Sequence, residues 1–210
     1  MADAFGDVLT TEQELHDLLG TPEGLAAHKV IHHLDEHCRD FIARSPFMLM
    51  ATANADGACD VSPRDDAPGF VLVLDEHRLV IPERKGNRRI DSMRNLLGNP
   101  HCGLIFLIPG LRETLRINGR ACVTRDPALL EQMAANGVVP QVGIGVVVEE
   151  CYLQCGKALQ RSQLWQAGSW LPAAELPSAA RILADHAKAV GLSVEAVEAR
   201  LEEGYVKRLY

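Results

Sequence analysis

Between Arg84 and Arg94 the chain places Arg84, Lys85, Arg88, Arg89 and Arg94 against a single acid, Asp91, in a protein whose formal net charge is −7. This local reversal of sign follows a strand-like run, Arg78 to Ile81. It leads into a helix-like run with Ile90, Met93 and Leu97 at i, i+3 and i+7. A strand that passes through a basic turn at Gly86 into a helix N-terminus suits a phosphate. Free N–H groups and the positive helix end favour an anion there. Each arginine adds charge-assisted hydrogen bonds worth about 1.5–3 kcal/mol. A solvated basic turn is the other reading these residues allow by themselves. Arg94, two helical turns away from the anion-binding end, drops out of the set.

The remaining chemistry-bearing residues are weaker candidates. Cys38, Cys59, Cys102, Cys122, Cys151 and Cys155 include no C-x-x-C pair and no zinc-knuckle spacing. Most lie in apolar runs, where a free cysteine behaves as a small buried hydrophobe. Cys151 and Cys155 would share one face of a strand, which leaves a redox pair open. His33 and His37 stand at i, i+4 of a helix-like run without the glutamate of an H-E-x-x-H site, so a polar helix face is expected and no metal. No side chain stands out as a general acid or base.

These residues sit in a chain of 210 residues with 47% hydrophobic and 23% charged content. That is ordinary for one well-packed globular domain with appended helices. A pI near 5.6 argues against nucleic-acid binding. No apolar run approaches the roughly 20 residues of a membrane span, and the acidic N-terminus lacks the pattern of a signal peptide. The expectation is a cytoplasmic protein.

The elements follow from periodicity. Thr11 and Glu14 form a capping box opening a helix that Gly20 ends. Thr21-Pro22 starts a second helical segment, and Val30 to Ile42 keeps helical spacing up to Ser45-Pro46. The first 45 residues thus read as a helical extension. The period then changes. Phe47–Ala53 and Cys59–Ser62 are strands around an Asn54–Gly57 hairpin turn, followed by a polar loop, Pro63–Gly69. Strands are expected at Phe70–Leu74, Leu79–Ile81, His101–Ile108, Leu115–Thr124 and Ile144–Leu153, with helices at Asn87–Leu97 and from Asp126-Pro127 to Ala135. Gly98-Asn99-Pro100 stops the first of these helices. Amphipathic helices at Ala179–Val190 and Val194–Glu203 end the chain. Hairpin-connected strands broken by single helices, without G-x-G-x-x-G, point to a closed antiparallel barrel rather than a Rossmann sheet.

Four motifs in order carry a resemblance. They are Ser62-Pro63-Arg64-Asp65, Arg84-Lys85-Gly86-Asn87-Arg88-Arg89, the run from Glu113 to Ala121 (ETLRINGRA), and Lys157-Ala158-Leu159-Gln160-Arg161-Ser162. Over residues 38 to 166 the chain resembles the FMN-binding split-barrel flavoproteins, the pyridoxamine 5′-phosphate oxidase-like group. In particular it resembles a bacterial branch of FMN-dependent enzymes whose substrate is not settled. The resemblance implies a mostly β, α+β fold: a split antiparallel barrel at 46–166, with helical extensions at 1–45 and 167–210. It also implies a homodimer with FMN in clefts between subunits. Arg64 would lie along the flavin, and Ile81 and Pro82 near the ring. Asn87 and Arg88 would take the phosphate, helped by Arg84 and Lys85. Thr114 and Arg116 match the hairpin that arrives from the other subunit. Lys157 and Arg161 match the segment closing over the isoalloxazine and holding an anionic substrate.

The chain departs from the true oxidase in two places. The strand after the first arginine ends at Leu74-Asp75 where the oxidase has a lysine, and Arg161-Ser162-Gln163 replaces its Arg-Leu-His sequence. The expectation is therefore an FMN-dependent oxidoreductase that passes a hydride between a small molecule and flavin N5, and not a vitamin B6 oxidase. A flavin-binding carrier or sensor without turnover is an alternative. So is a split barrel holding haem or a deazaflavin, for which His77 and His101 are the histidines within the barrel portion.

Overall fold

The computed structural model describes residues 2–210, in two compact units, 2–30 and 31–210. The first holds three short helices, α1 (Ala2–Phe5), α2 (Glu12–Leu19) and α3 (Leu25–His28). The capping box is in place: the Thr11 N–H donates to Glu14 Oε2 at 2.9 Å, and the Glu14 N–H to Thr11 Oγ1 at 3.3 Å. Pro22 does not open α3. That helix begins after Gly24, whose φ of 54° only a residue without a side chain adopts readily.

The second unit begins with an extended strap rather than the expected helix from Val30. Ile31 forms a β-bridge with Cys151, and Asp35 then caps α4 (Glu36–Arg44) by accepting from the Cys38 N–H. Residues 31–45 thus belong to the same compact unit as the strands. Those strands are β1 (Phe47–Ala53), β2 (Cys59–Asp65), β3 (Leu72–Val73) and β4 (Arg78–Pro82), then β5 (His101–Leu107), β6 (Thr114–Thr124) and β7 (Gly143–Gln154). Helices α5 (Asp91–Gly98) and α6 (Pro127–Glu131) interrupt them, and α7 (Lys157–Ser162), α8 (Ala179–His186) and α9 (Val194–Lys207) follow.

All seven strands pair antiparallel in the order β2-β1-β5-β6-β7-β4-β3. This is the antiparallel split-barrel architecture, but with β2 and β3 left as edges rather than joined. The edge position explains a boundary that differs from expectation. β2 runs on through Pro63 to Asp65, because a proline's missing N–H costs nothing where no strand lies beyond it. The strand expected at Phe70–Leu74 shrinks to Leu72–Val73: Gly69 turns at φ 83° and the Phe70 N–H closes a turn on Ala67 O at 3.1 Å. α5 starts at Asp91, not Asn87, because Arg88 (φ 63°) and Ile90 (φ 53°) are left-handed and cannot continue a right-handed helix. α6 stops at Glu131, beyond which Ala135 bridges to Val138.

The core is built from the alternating inner positions of these strands. Met48, Met50, Leu104, Phe106, Ile117, Ile144, Leu79 and Ile81 are all fully buried, with Leu34 and Ile42 closing one side. α5 packs against β1, β2 and β6, and is tied in by Asn95 Nδ2 donating to Thr52 Oγ1 at 3.0 Å inside the core. β6 and β7 slip register at Asn118/Gly119. A methyl group at Gly119 would run into the Val147 carbonyl, so the bulge requires a glycine there. No helix among the described residues is long and apolar enough to cross a membrane.

Candidate functional site

Beside β2, whose outer edge is unpaired, a cleft of about 400 Å³ opens. One lip is the inner face of β2, which presents Asp60, Ser62 and Arg64 at alternate positions because side chains on a strand alternate. The other lip runs from Pro82 to Ser92. Arg64 crosses the split to pair with Glu83, and only 13% and 25% of these side chains remain exposed. The Arg64 Nε–H is buried and, among the described residues, has no hydrogen-bond acceptor. A donor left in that state costs about 1–3 kcal/mol.

A second ion pair lies just beyond the first, two residues after Arg64 and one after Glu83. Arg84 meets Asp66 at 2.5 Å with 17% and 5% of the side chains exposed. Its Nη1 also donates to Met133 O at 2.9 Å. Burial works to raise the Asp66 carboxyl. The Tyr210 O–H at 2.8 Å, the Ala67 N–H at 2.7 Å and Arg84 outweigh that and hold it below the usual carboxylate range. Arg84 therefore joins the two lips through Nε and Nη1 while it also lines the cleft.

The basic loop between them sorts its own charges. Asp91 is bound by Arg89 at 2.7 Å and Arg94 at 2.5 Å; the Arg89 hydrogen bond is the main reason its carboxyl is depressed. Asn87 Oδ1 accepts the Arg89 N–H at 3.0 Å and shapes the turn. Among the described residues Lys85 and Arg88 make no ion pair. Lys85 and Asn87 line the cleft. Arg88 lines a neighbouring cavity of about 620 Å³ behind the loop, with Met93, Val139 and Tyr210. Ile90 stands at the N-cap of α5 and has no polar atom with which to cap it, so the first N–H groups of that helix are left for another acceptor.

The other expected site residues lie elsewhere. Ile81 is wholly within the core, and its neighbour Pro82 lines the cleft instead. Thr114 and Arg116 sit on the outer face of β6, opposite the buried Leu115 and Ile117. Arg116 packs over the Tyr152 ring, 5.7 Å from its centre. Lys157 and Arg161 are on α7, which docks on the turn before β6: Arg112 Nη1 donates to Gln160 Oε1 at 2.9 Å, and Trp165 Nε1 to Leu111 O at 2.8 Å. One chain thus brings together Arg64, Pro82, Arg84, Lys85 and Asn87, and leaves Thr114, Arg116, Lys157 and Arg161 outside that cleft.

Sequence reasoning missed Asp60, Glu83 and Ser92. Ser92 Oγ donates to Asp60 Oδ2 at 2.7 Å and lies 2.9 Å from Ser62 Oγ, joining α5 to β2. Only the alternation of Asp60, Ser62 and Arg64 along one strand face hinted at this. His77 and His101 are exposed and line no part of the cleft; His101 Nδ1 is bonded to Asn99 at 2.8 Å. No group of side chains among the described residues has the makings of a metal site. Cys155 lies exposed beyond the end of β7. Cys151 instead meets Cys38, Sγ to Sγ 3.2 Å, and that contact together with burial pushes its thiol up, which makes it unreactive.

A family model described as pyridoxamine 5′-phosphate oxidase matches residues 34–155, more than half of the chain. No curated protein matches. Among solved structures, HupZ of Group A Streptococcus is 16% identical, with 57% of this chain and 92% of that chain covered and a TM-score of 0.47. A putative pyridoxamine 5′-phosphate oxidase from Lactobacillus delbrueckii is 20% identical, with coverage of 58% and 99% and a TM-score of 0.45. HutZ, the heme storage protein from Vibrio cholerae, is 17% identical, with coverage of 58% and 93% and a TM-score of 0.42. These likenesses carry no chemistry to this chain.

Proposed function

This chain belongs to the pyridoxamine 5′-phosphate oxidase family, and from that premise we propose that it is an FMN-dependent oxidoreductase acting on a small molecule in the cytoplasm. The observation that carries the proposal is the buried, acceptorless Nε–H of Arg64 at the wall of a cleft whose far end is a cationic loop. A ligand with a polar ring edge and a phosphate suits both ends. Lys85, Asn87 and the uncapped N–H groups of α5 receive the phosphate, with Arg88 adding charge from behind the loop. Arg84 holds that loop in place, and Pro82 contributes ring contacts, with Ile81 supporting it from the core. When bound, FMN supplies hydride acceptance and release at N5. Arg64 places a positive charge where the reduced ring gathers electron density.

A second copy of the chain completes the site in this proposal. Leu49, Ile105, Arg116 and Tyr152 lie in register across four strands on the outer sheet face, where Ile105 is 37% exposed, and Val61 on the edge strand is 62% exposed. That mixed apolar and aromatic face suits a homodimer, which delivers Thr114 and Arg116 to the partner's cleft. Lys157 and Arg161 then hold an anionic substrate.

Titration of the purified protein with FMN should give a yellow complex with quenched flavin fluorescence and a dimeric sedimentation coefficient. Lys85→Ala should weaken FMN binding by about 1.5–3 kcal/mol. A protein that binds no FMN, or a monomer that holds it as tightly as the wild-type dimer, refutes the proposal.

A further inference from the structure

The hydrogen-bond chain behind β2 has only one possible direction, and that direction sets what the cleft accepts. A carboxylate has no proton to give, so Asp60 accepts from Ser92 at 2.7 Å. Ser92, 2% exposed, has a single hydroxyl proton, and it is committed to Asp60. Toward Ser62, at 2.9 Å, Ser92 therefore only accepts. The one proton of Ser62 must therefore go to Ser92, and the lone pairs of Ser62 are what it has left to offer the cleft that both residues line.

We propose that Ser62 is a specificity-determining residue that presents a fixed hydrogen-bond acceptor to the cleft and reads an N–H or O–H donor on the bound ligand. Two positions along the same face, with its Cα about 7 Å away, Arg64 carries an Nε–H donor without an acceptor. The β2 wall thus alternates acceptor and donor. A ligand laid along it must bring a donor to Ser62 and an acceptor to Arg64, as the hydroxyl chain or the imide edge of a flavin can. An anionic group is rejected at Ser62, because it would face lone pairs with the Asp60 carboxylate beside them on the same face. The phosphate is therefore directed to the Lys85 end, and the ligand has one orientation in the cleft. Asp60 and Ser92 act through Ser62 as positioning residues.

The inference rests on FMN as the ligand, and a thermodynamic cycle on FMN affinity tests it. By flavin fluorescence quenching, Ser62→Ala should raise the FMN dissociation constant about five- to tenfold, the usual worth of a neutral hydrogen bond. Ser62→Thr, which keeps the hydroxyl and suits a strand, should restore it. Ser92→Ala should weaken binding by a smaller factor. The double variant should bind no worse than Ser62→Ala alone, because Ser92 works only through Ser62. Thermal midpoints of the cofactor-free proteins follow any purely structural role, which would move them without moving affinity. Unchanged FMN affinity in Ser62→Ala overturns the assignment of Ser62, and effects that multiply in the double variant overturn the relay. A wild-type protein that binds no FMN overturns the cofactor reading itself, and this inference with it.

Discussion

Replacing Arg64 with methionine should cost the protein about 3 kcal/mol of folding stability and remove FMN binding, and adding Glu83→Leu should restore the first but not the second. Arg64 and Glu83 form an ion pair that is largely shielded from water. Removing one partner strands the other charge at a cost of about 3–5 kcal/mol when fully buried. Glu83 keeps 25% of its side-chain exposure, so water softens the loss toward the lower end. Replacing both partners by apolar side chains of similar volume is often neutral or better, since neither charge then needs desolvation. Stability and function separate at that point. The doubly substituted cleft is intact but lacks the guanidinium whose Nε–H has no acceptor of its own. Urea denaturation reads the stability and FMN fluorescence reads the binding. A double variant as unstable as Arg64→Met would show that the pair is not the source of the loss. One that regains FMN would remove Arg64 from the site.

The parts of this fold that were legible in the sequence are those whose physics is local. The Asn54–Gly57 turn closes on its own residues, with Asn54 Oδ1 accepting from the Asp56 and Ala58 N–H groups at 2.9 Å each. The Thr11–Glu14 box, the stop at Gly98-Asn99-Pro100 and the long alternation of β6 needed nothing from elsewhere in the chain either. Several of the errors fall where a distant partner decides. Ile31 to Leu34 has helical spacing, yet its backbone is claimed by Cys151, more than a hundred residues away, and by the Glu76 carbonyl, which accepts from the Leu34 N–H at 2.6 Å. Pro63 and Arg64 read as loop because nothing local says that β2 is an edge strand. The candidate site shows the same division. The cationic loop announced itself by charge alone. Which of its cations are free follows only from where Asp66 and Asp91 fall in space. Asp60, Ser92 and Glu83 are ordinary residues in sequence, and they matter because the split places β2 against the segment after β4.

That juxtaposition makes Arg84 the most consequential of the loop's cations for the fold. Arg84→Met should destabilise the protein by about 3–5 kcal/mol at neutral pH, since it leaves the Asp66 carboxylate, 5% exposed, without its positive partner. The sign of the pH dependence follows from Asp66. In the folded wild type its carboxyl sits below the ordinary value near 3.9. The ionised form is thus favoured by folding, and this stabilisation is fully present above that value. It is lost as the pH falls below it toward the folded-state value. In Arg84→Met the Tyr210 O–H and Ala67 N–H still favour the ionised carboxyl, but the guanidinium no longer helps them to oppose its burial, so less of the remaining stability is lost in acid. The stability gap between wild type and variant should accordingly be widest at pH 7 and narrow as the pH drops below about 4. It should not close completely, because the hydrogen bond from Arg84 to Met133 O carries no proton-linked charge on Met133. Asp66→Asn should remove most of the acid-dependent part. Urea midpoints measured from pH 7 to pH 3 for the three proteins decide the matter, and a gap that stays constant across that range would mean that Asp66 is not what Arg84 stabilises. The same variant should loosen Lys85 and Asn87, which follow the segment that Arg84 pins. FMN affinity should then fall in Arg84→Met, with Arg84 acting through its ion pair to Asp66.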